Sequence, residues 1–422
     1  MGAFRRLVEL GLYKNVSCIS SVSGGSITSS VILQALNDGD FKDIKDFDKR
    51  VVTRLKKLGQ SRFREKIIIP VFVLFGVLFL VIVLLFYNIH LSFIYSVLTF
   101  LAVLLFVQPR KLFSKMLLFL LDKSFYKGKL LKSNLLYPEI CFNATCLNTG
   151  KRFRFKQNNI GGNKIGETKD IKDIKLSFAV ACSAAFPQLF APFKLMINKR
   201  RFVLDWWTKN VKASNHVPKC IYLSDGGVYD NLGTEGILKG KEPFVILDAG
   251  GYIPEWHTDT NPNWFIRNTR IISTALDQII SLRRRILYSK AKDLNGVQLI
   301  LGAPVKEYLD NKKYKNYGRF GNKTIIKLSN YEIFDEKIDC LLADLRTDLD
   351  GFHDIEIDLL MWAGAIRMDI AIKKYFSKHL TKEQLSTTPI RPSYSDEDIV
   401  KILELGKKNS IVGFLHKSLT KV

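Results

Sequence analysis

The chain has 422 residues, enough for one large domain or two ordinary ones, and its average composition, 47% hydrophobic and 25% charged, is globular. A formal net charge of +24 points to an anionic partner, either nucleic acid or a membrane surface. No finger spacing, aromatic RNA-binding signature or basic heptad occurs, which sets nucleic acid aside.

In chain order, Ala3 to Leu10 reads as an amphipathic helix, with Phe4, Leu7 and Leu10 on one face and Gly11 as its stop. Arg5, Arg6 and Glu9 break its apolar run, so it is not a signal peptide. Val16 to Ser20 reads as a strand and Gly24 to Leu36 as a helix, followed by a charged, helical stretch to Gln60. From Ile67 to Val107 there is not one Asp, Glu, Lys or Arg. Residues 67–87 reach roughly 30 Å as a helix, the thickness of a bilayer's hydrocarbon core. Residues 91–107 form a shorter second segment, and Asn88-Ile89-His90 leaves room for a tight turn. A transmembrane helical hairpin is therefore expected. Arg62, Arg64 and Lys66 before it and Arg110, Lys111 and Lys115 after it place both flanking parts on the cytoplasmic side. Lys123, Lys127, Lys129 and Lys132 continue the basic run toward anionic headgroups.

Beyond the hairpin, "EICFNATCLN" and "RFRFKQ" read as strands, Asn158 to Gly166 as a glycine-rich separator and Ile174 to Ala185 as a helix. "CIYLSDGG" and "PFVILDAGG" are short apolar strands ending on Asp225 and Asp248. Short buried strands alternating with helices predict a mostly parallel sheet covered on both faces. Arg267 to Lys292 and Ile355 to Lys378 read as long helices, and Asp396 to Leu419 as a helical tail. The six cysteines form no CxxC pair, and no two histidines stand at i, i+4 beside an acid. Neither a metal nor a cofactor is expected.

Two strand ends carry the chemistry. In "CISSVSGGSITSS" an apolar strand runs through Ser23-Gly24-Gly25 into a helix. Such a turn can lift a serine above a sheet edge and put it at a helix N-terminus, where free N–H groups favour developing negative charge. Taken alone, the turn also fits an ordinary helix-capping serine. In "YLSDGGVYDNLG" a second strand ends on Asp225, with Gly226 and Gly227 leaving its carboxylate unobstructed. Together with "FNATCLNTGKRFRF" from Phe142 and "SAAFP" from Ser183, these motifs resemble the patatin-like phospholipases. The resemblance covers roughly Gly2 to Gly251, with Ser21 standing where the usual pattern has glycine.

The resemblance implies a three-layer α/β fold interrupted by the hairpin. Residues 1–60 and 111–379 would form the catalytic domain, 61–110 the hairpin, and 380–422 a polar helical tail. It also implies a lipid acyl hydrolase in which Ser23 attacks an ester and Asp225 takes its proton, with no histidine and no cofactor. Gly24 and Gly25 would form the elbow and contribute an oxyanion donor, with Gly226 and Gly227 shaping the acid loop. Membrane lipids would be both substrate and anchor. Family members carry a glycine-rich oxyanion loop before the helix that here begins at Gly2, and the alternative expectation is a catalytically impaired membrane scaffold. Asp248 is a rival acid, with turn capping as its commoner role. His257 and His353 follow the acid in triad order alone.

Overall fold

In the computed structural model the chain is described except at residues 61–62, 86–93, 95, 101–108, 135–136, 188, 198–201, 203–218, 237–241, 251–263, 290–294, 310–316, 319–330, 346–350 and 408–422. The elements that matter here run in the order α1 (Gly2–Glu9), β1 (Cys18–Ser21), α2 (Gly24–Asn37), α3 (Phe63–Leu85), α4 (Pro109–Leu121), β2 (Glu139–Cys146), β3 (Lys151–Phe155), β4 (Ile160–Gly162) and β5 (Gly166–Thr168). There follow α5 (Leu176–Ser183), β6 (Phe193–Met196), β7 (Cys220–Asp225), β8 (Phe244–Asp248), α6 (Trp264–Ser289), β9 (Asn295–Ile300), β10 (Tyr317–Gly318), α7 (Asp354–Phe376) and α8 (Asp396–Lys407).

The chain divides into two compact units. The first, Cys18–Asp38 with Arg62–Gly233, is built on a seven-stranded sheet in the order β5-β4-β3-β2-β7-β6, with β1 also paired to β2. Only the β1–β2 pair is parallel among the described strands of this sheet; the other five pairings are antiparallel. The expected mostly parallel sheet is thus corrected, and the connections give the reason. Leu147 to Gly150 joins β2 to β3 as a tight turn, whereas a parallel crossover needs about a dozen residues or more. The glycine-rich stretch expected as a mere separator supplies β4 and the start of β5, where Gly161 has φ +159° and Gly166 φ +88°. The core of this unit holds Ile140, Phe142, Phe153, Phe155, Leu176 and Leu223, all fully buried.

Helix α3 carries the one stretch among the described residues, Glu65–Leu84, that is long and apolar enough to cross a membrane. Ile67, Val71, Phe75 and Ile82 make a narrow buried ridge, and α3 packs against α4. Phe72, Leu80 and Leu84 are 66%, 58% and 63% exposed. Where two spanning segments were expected, the described residues supply one. Most of the second, residues 91–107, lies outside the described residues. Its described part, 94 and 96–100, is helical, and the Phe100 ring meets Phe75 and Phe79 at 6.3 and 5.0 Å.

The second unit comprises Met1–Ser17, Gly39–Ser61 and Thr234–Val422. Its sheet runs β10-β9-β8, with β8 and β9 parallel as the apolar run of β8 predicts; β9 was not among the expected strands. Helix α1 crosses α7 closely, because a Cβ at Gly2 would stand 1.9 Å from the Met361 carbonyl oxygen. Gly11 follows α1 at φ +69°, the left-handed stop its sequence predicts. Arg6 is fully buried between the helices and pairs with Asp369 at 2.6 Å, which also receives Lys373 at 2.9 Å and the Tyr331 hydroxyl at 2.7 Å. The helical tail is described through Lys407; the rest of its expected extent, to Leu419, lies outside the described residues.

Candidate active site

Strand β2 brings the two strand-end motifs together. β1 runs parallel to its first half and stops at Ser21, opposite Phe142. β7 runs antiparallel to its second half and stops at Asp225, opposite Ala144. Phe142 is already paired with Phe155 of β3 on the other edge, so β1 and β7 share one edge of β2 and meet end to end at Asn143. Ser23 and Asp225 follow from these two ends.

The turn at Ser23 is strained. Ser23 has φ 51° and ψ −125°, and it is one of two non-glycine residues with positive φ among those described. It stands at the N-cap position of α2, yet its side chain makes no capping bond, and capping residues normally hold extended backbone. The simple capping role is therefore set aside. The hydroxyl is left for other work, half-buried at the turn's tip. Gly24 and Gly25 begin α2. The Gly24 N–H donates to no acceptor among the described residues, as befits a first helical residue. A Cβ on Gly24 would meet nothing within 4 Å, and one on Gly25 would come no closer than 3.9 Å to Ser21 Cβ. The protein's own atoms impose no steric need for glycine behind the serine; Gly24 borders open space.

Asp225 is 4% exposed. One carboxylate oxygen accepts the Gly227 N–H at 2.7 Å. The other, Oδ2, is buried with no well-formed hydrogen bond, although the Ser23 hydroxyl is close enough to favour its charge. Burial outweighs both donors and pushes the carboxyl pKa up to about 6. The acid loop needs its glycines, unlike the elbow. A Cβ on Gly226 would stand 2.3 Å from the Asn143 carbonyl oxygen, and one on Gly227 2.6 Å from Asn231 Oδ1.

Residues that sequence reasoning did not single out hold the two turns in register. The Ser183 carbonyl, at the end of α5, accepts the Ser23 N–H at 3.1 Å and the Gly226 N–H at 3.3 Å. Its hydroxyl donates to the Asn143 carbonyl at 2.6 Å and meets Ser26 Oγ at 2.8 Å. Asn143 Nδ2 in turn donates to the Ser21 carbonyl and to Ser20 Oγ, both at 2.9 Å. Ser21 is accommodated in place of glycine because Ser29 and Ser26 donate to its buried hydroxyl at 2.8 and 3.1 Å. The available signal was a polar residue inside each apolar run: Asn143 in "EICFNATC" and Ser183 after "AVAC".

The described rival groups are engaged in other roles. Asp248, in the second unit, is held by Arg284 at 2.6 Å and Gln298 at 2.8 Å, and it accepts the Gly250 N–H at 3.3 Å. That is the turn-capping role, reinforced by an ion pair. His353 caps α7, accepting the Ile355 N–H at 3.2 Å in a reciprocal box with Glu356. His257 lies outside the described residues.

A search of curated proteins finds no match to this chain. The protein family described as "Patatin-like phospholipase" matches residues 1–238, a span that takes in both strand ends, the segment from Phe142 and the Ser183 turn. With more than half of its length matched in this way, the chain belongs to the patatin-like phospholipase family.

Proposed function

We propose that this protein is a membrane-held lipid acyl hydrolase that cleaves carboxylic esters through an acyl-enzyme, with Ser23 as nucleophile and Asp225 as general base. The observation that carries this reading is the meeting of a strained, uncapped serine with a buried, under-bonded carboxylate at one edge of β2.

In this mechanism Ser23 Oγ attacks the ester carbonyl carbon while its proton passes to Asp225 Oδ2. The carbonyl oxygen becomes an oxyanion, and the Gly24 N–H at the start of α2 is the donor available to it. Collapse expels the alcohol, which takes the proton from Asp225 and leaves Ser23 acylated. Water then attacks the acyl-enzyme, with Asp225 taking its proton as base; collapse releases the fatty acid as Asp225 returns that proton to Ser23 Oγ. A carboxyl of ordinary pKa is a weak base for an alcohol; a pKa near 6 narrows that gap by about two units. The exposed apolar face of α3 would hold this chemistry at the bilayer, with the basic residues about α4 near anionic headgroups. Because β1 before α3 pairs with β2 after it, the sheet would stay on one side of the membrane, the cytoplasmic one by the positive-inside bias.

The test is hydrolysis of a lipid ester by purified variants. Ser23→Ala and Asp225→Asn should each lower turnover by a factor on the order of 10³ or more, and the double variant should be no worse than either. His353→Ala should keep its turnover and lose about 1 kcal/mol of stability with its helix cap. Near-normal turnover in Asp225→Asn would place the base elsewhere.

A further inference from the structure

Helix α6 presents an apolar stripe that the fold does not use. The helix is fixed from one side: Leu287 is fully buried, Arg284 pairs with Asp248 at 2.6 Å, and Arg283 pairs with Glu235 at 2.6 Å. At roughly 100° per residue, Ile271, Ala275, Leu282 and Ile286 fall within about 60° of one another, on the side away from those anchors. They are exposed, Ile271 at 65% and Leu282 at 51%, values at which a core-facing residue would not stand. Arg267 and Arg285 flank the stripe on one side and are also exposed. Asp277, the one acidic residue of the helix, falls about 150° from the stripe's centre.

We infer that this face of α6 rests on an anionic lipid surface, as a contact separate from the spanning-length α3. The stripe would enter the boundary between headgroups and acyl chains, while Arg267 and Arg285 meet the phosphates. Charge decides between a lipid surface and a second copy of the chain. With a net charge of +24, two copies repel one another, whereas an anionic bilayer attracts each of them. The inference concerns lipid contact and does not depend on the roles given to Ser23 and Asp225.

It is tested on the full chain in nanodiscs, which leave both faces of the bilayer open to solution. The two exposed cysteines are removed as Cys18→Ser and Cys340→Ser, and one environment-sensitive nitrobenzoxadiazole probe is attached at Leu282→Cys. A matched protein carries the probe at Asp277→Cys. In nanodiscs of phosphatidylcholine with phosphatidylglycerol, doxyl-labelled lipid should quench the Leu282 probe severalfold more than the Asp277 probe, and aqueous iodide should quench it less. Ile271→Glu, exposed and so no threat to folding, should abolish the difference. Equal doxyl quenching at both positions would overturn the proposal. So would equal quenching of the Leu282 probe in nanodiscs of phosphatidylcholine alone, because the arginines would then have no part. Protection from iodide that grows with protein concentration and ignores doxyl lipid would assign the stripe to a second copy instead.

Discussion

Asp225 is where stability and activity pull apart. Its carboxyl titrates near 6 in the folded protein because it is buried, against 3.8 when solvated. For the proposed reaction the ionised form is the base, so turnover should fall about tenfold per pH unit below 6 and level off above it. A rate that stays flat from pH 7 down to pH 4.5 would remove Asp225 from the proton transfer. For stability the sign is opposite to that of an ion-paired carboxylate. The folded state holds the proton more tightly than the unfolded chain, so this group's contribution declines as pH rises from about 3.8 to about 6. At neutral pH the buried charge then costs roughly 3 kcal/mol. Asp225→Asn can still accept the Gly227 N–H and carries no charge. It should therefore melt higher than the native protein at pH 7.5, with a smaller gain at pH 5, while losing its turnover. Sequence reasoning reached Ser23 and Asp225 because each ends an apolar strand with two glycines behind it. It met Ser183 as the start of a motif without assigning it a role, because its carbonyl, shared between two turns, and its hydroxyl, on the Asn143 carbonyl, act through contacts distant in sequence.

At the scale of elements, the two strand ends that carry Ser23 and Asp225 meet because β1 and β7 approach one edge of β2 from opposite ends. Helices and strand positions were legible from periodicity and apolar runs: α2, α5, β2, β7 and α7 fall close to their expected bounds. Strand direction was not. An apolar run such as "CIYLS" reads alike in a parallel or an antiparallel neighbourhood, and direction is set by the lengths of the links, as the β2–β3 turn shows. The two glycine pairs also looked equivalent in sequence and are not. Gly226→Ala should force the end of β7 away from Asn143, lowering stability by about 1–3 kcal/mol and turnover with it. Gly24→Ala meets no protein atom and should melt like the native chain. If its turnover nevertheless falls, the open space at Gly24 is where the ester sits. Matching melting curves for the two variants would show that the close approach at Gly226 is relieved at no cost.

At the scale of the whole molecule, the question is what the apolar α3 is for. A core helix hides most of its apolar surface, and this one hides only a ridge: Ile67, Val71, Phe75 and Ile82 are buried, whereas Phe72, Leu80 and Leu84 stand more than half exposed. The two faces make separable predictions. Leu80→Lys with Leu84→Lys changes exposed residues alone, so the protein should fold as before. Each lysine near the middle of a bilayer costs about 2.5–3.5 kcal/mol on insertion scales, so the pair should shift the chain from the membrane fraction toward the soluble one. Val71→Ala with Phe75→Ala acts on the buried ridge. It should loosen the contact with α4 and lower the melting temperature, while the exposed apolar face keeps the chain on the membrane. Fractionation and thermal melting of both double variants decide the matter. If the lysine pair unfolds the protein and leaves no soluble species, α3 belongs to the core of its unit and the membrane reading fails. If the lysine pair releases a folded protein that still hydrolyses a water-soluble ester at the native rate but has lost activity on bilayer lipid, α3 serves to bring Ser23 to its substrate.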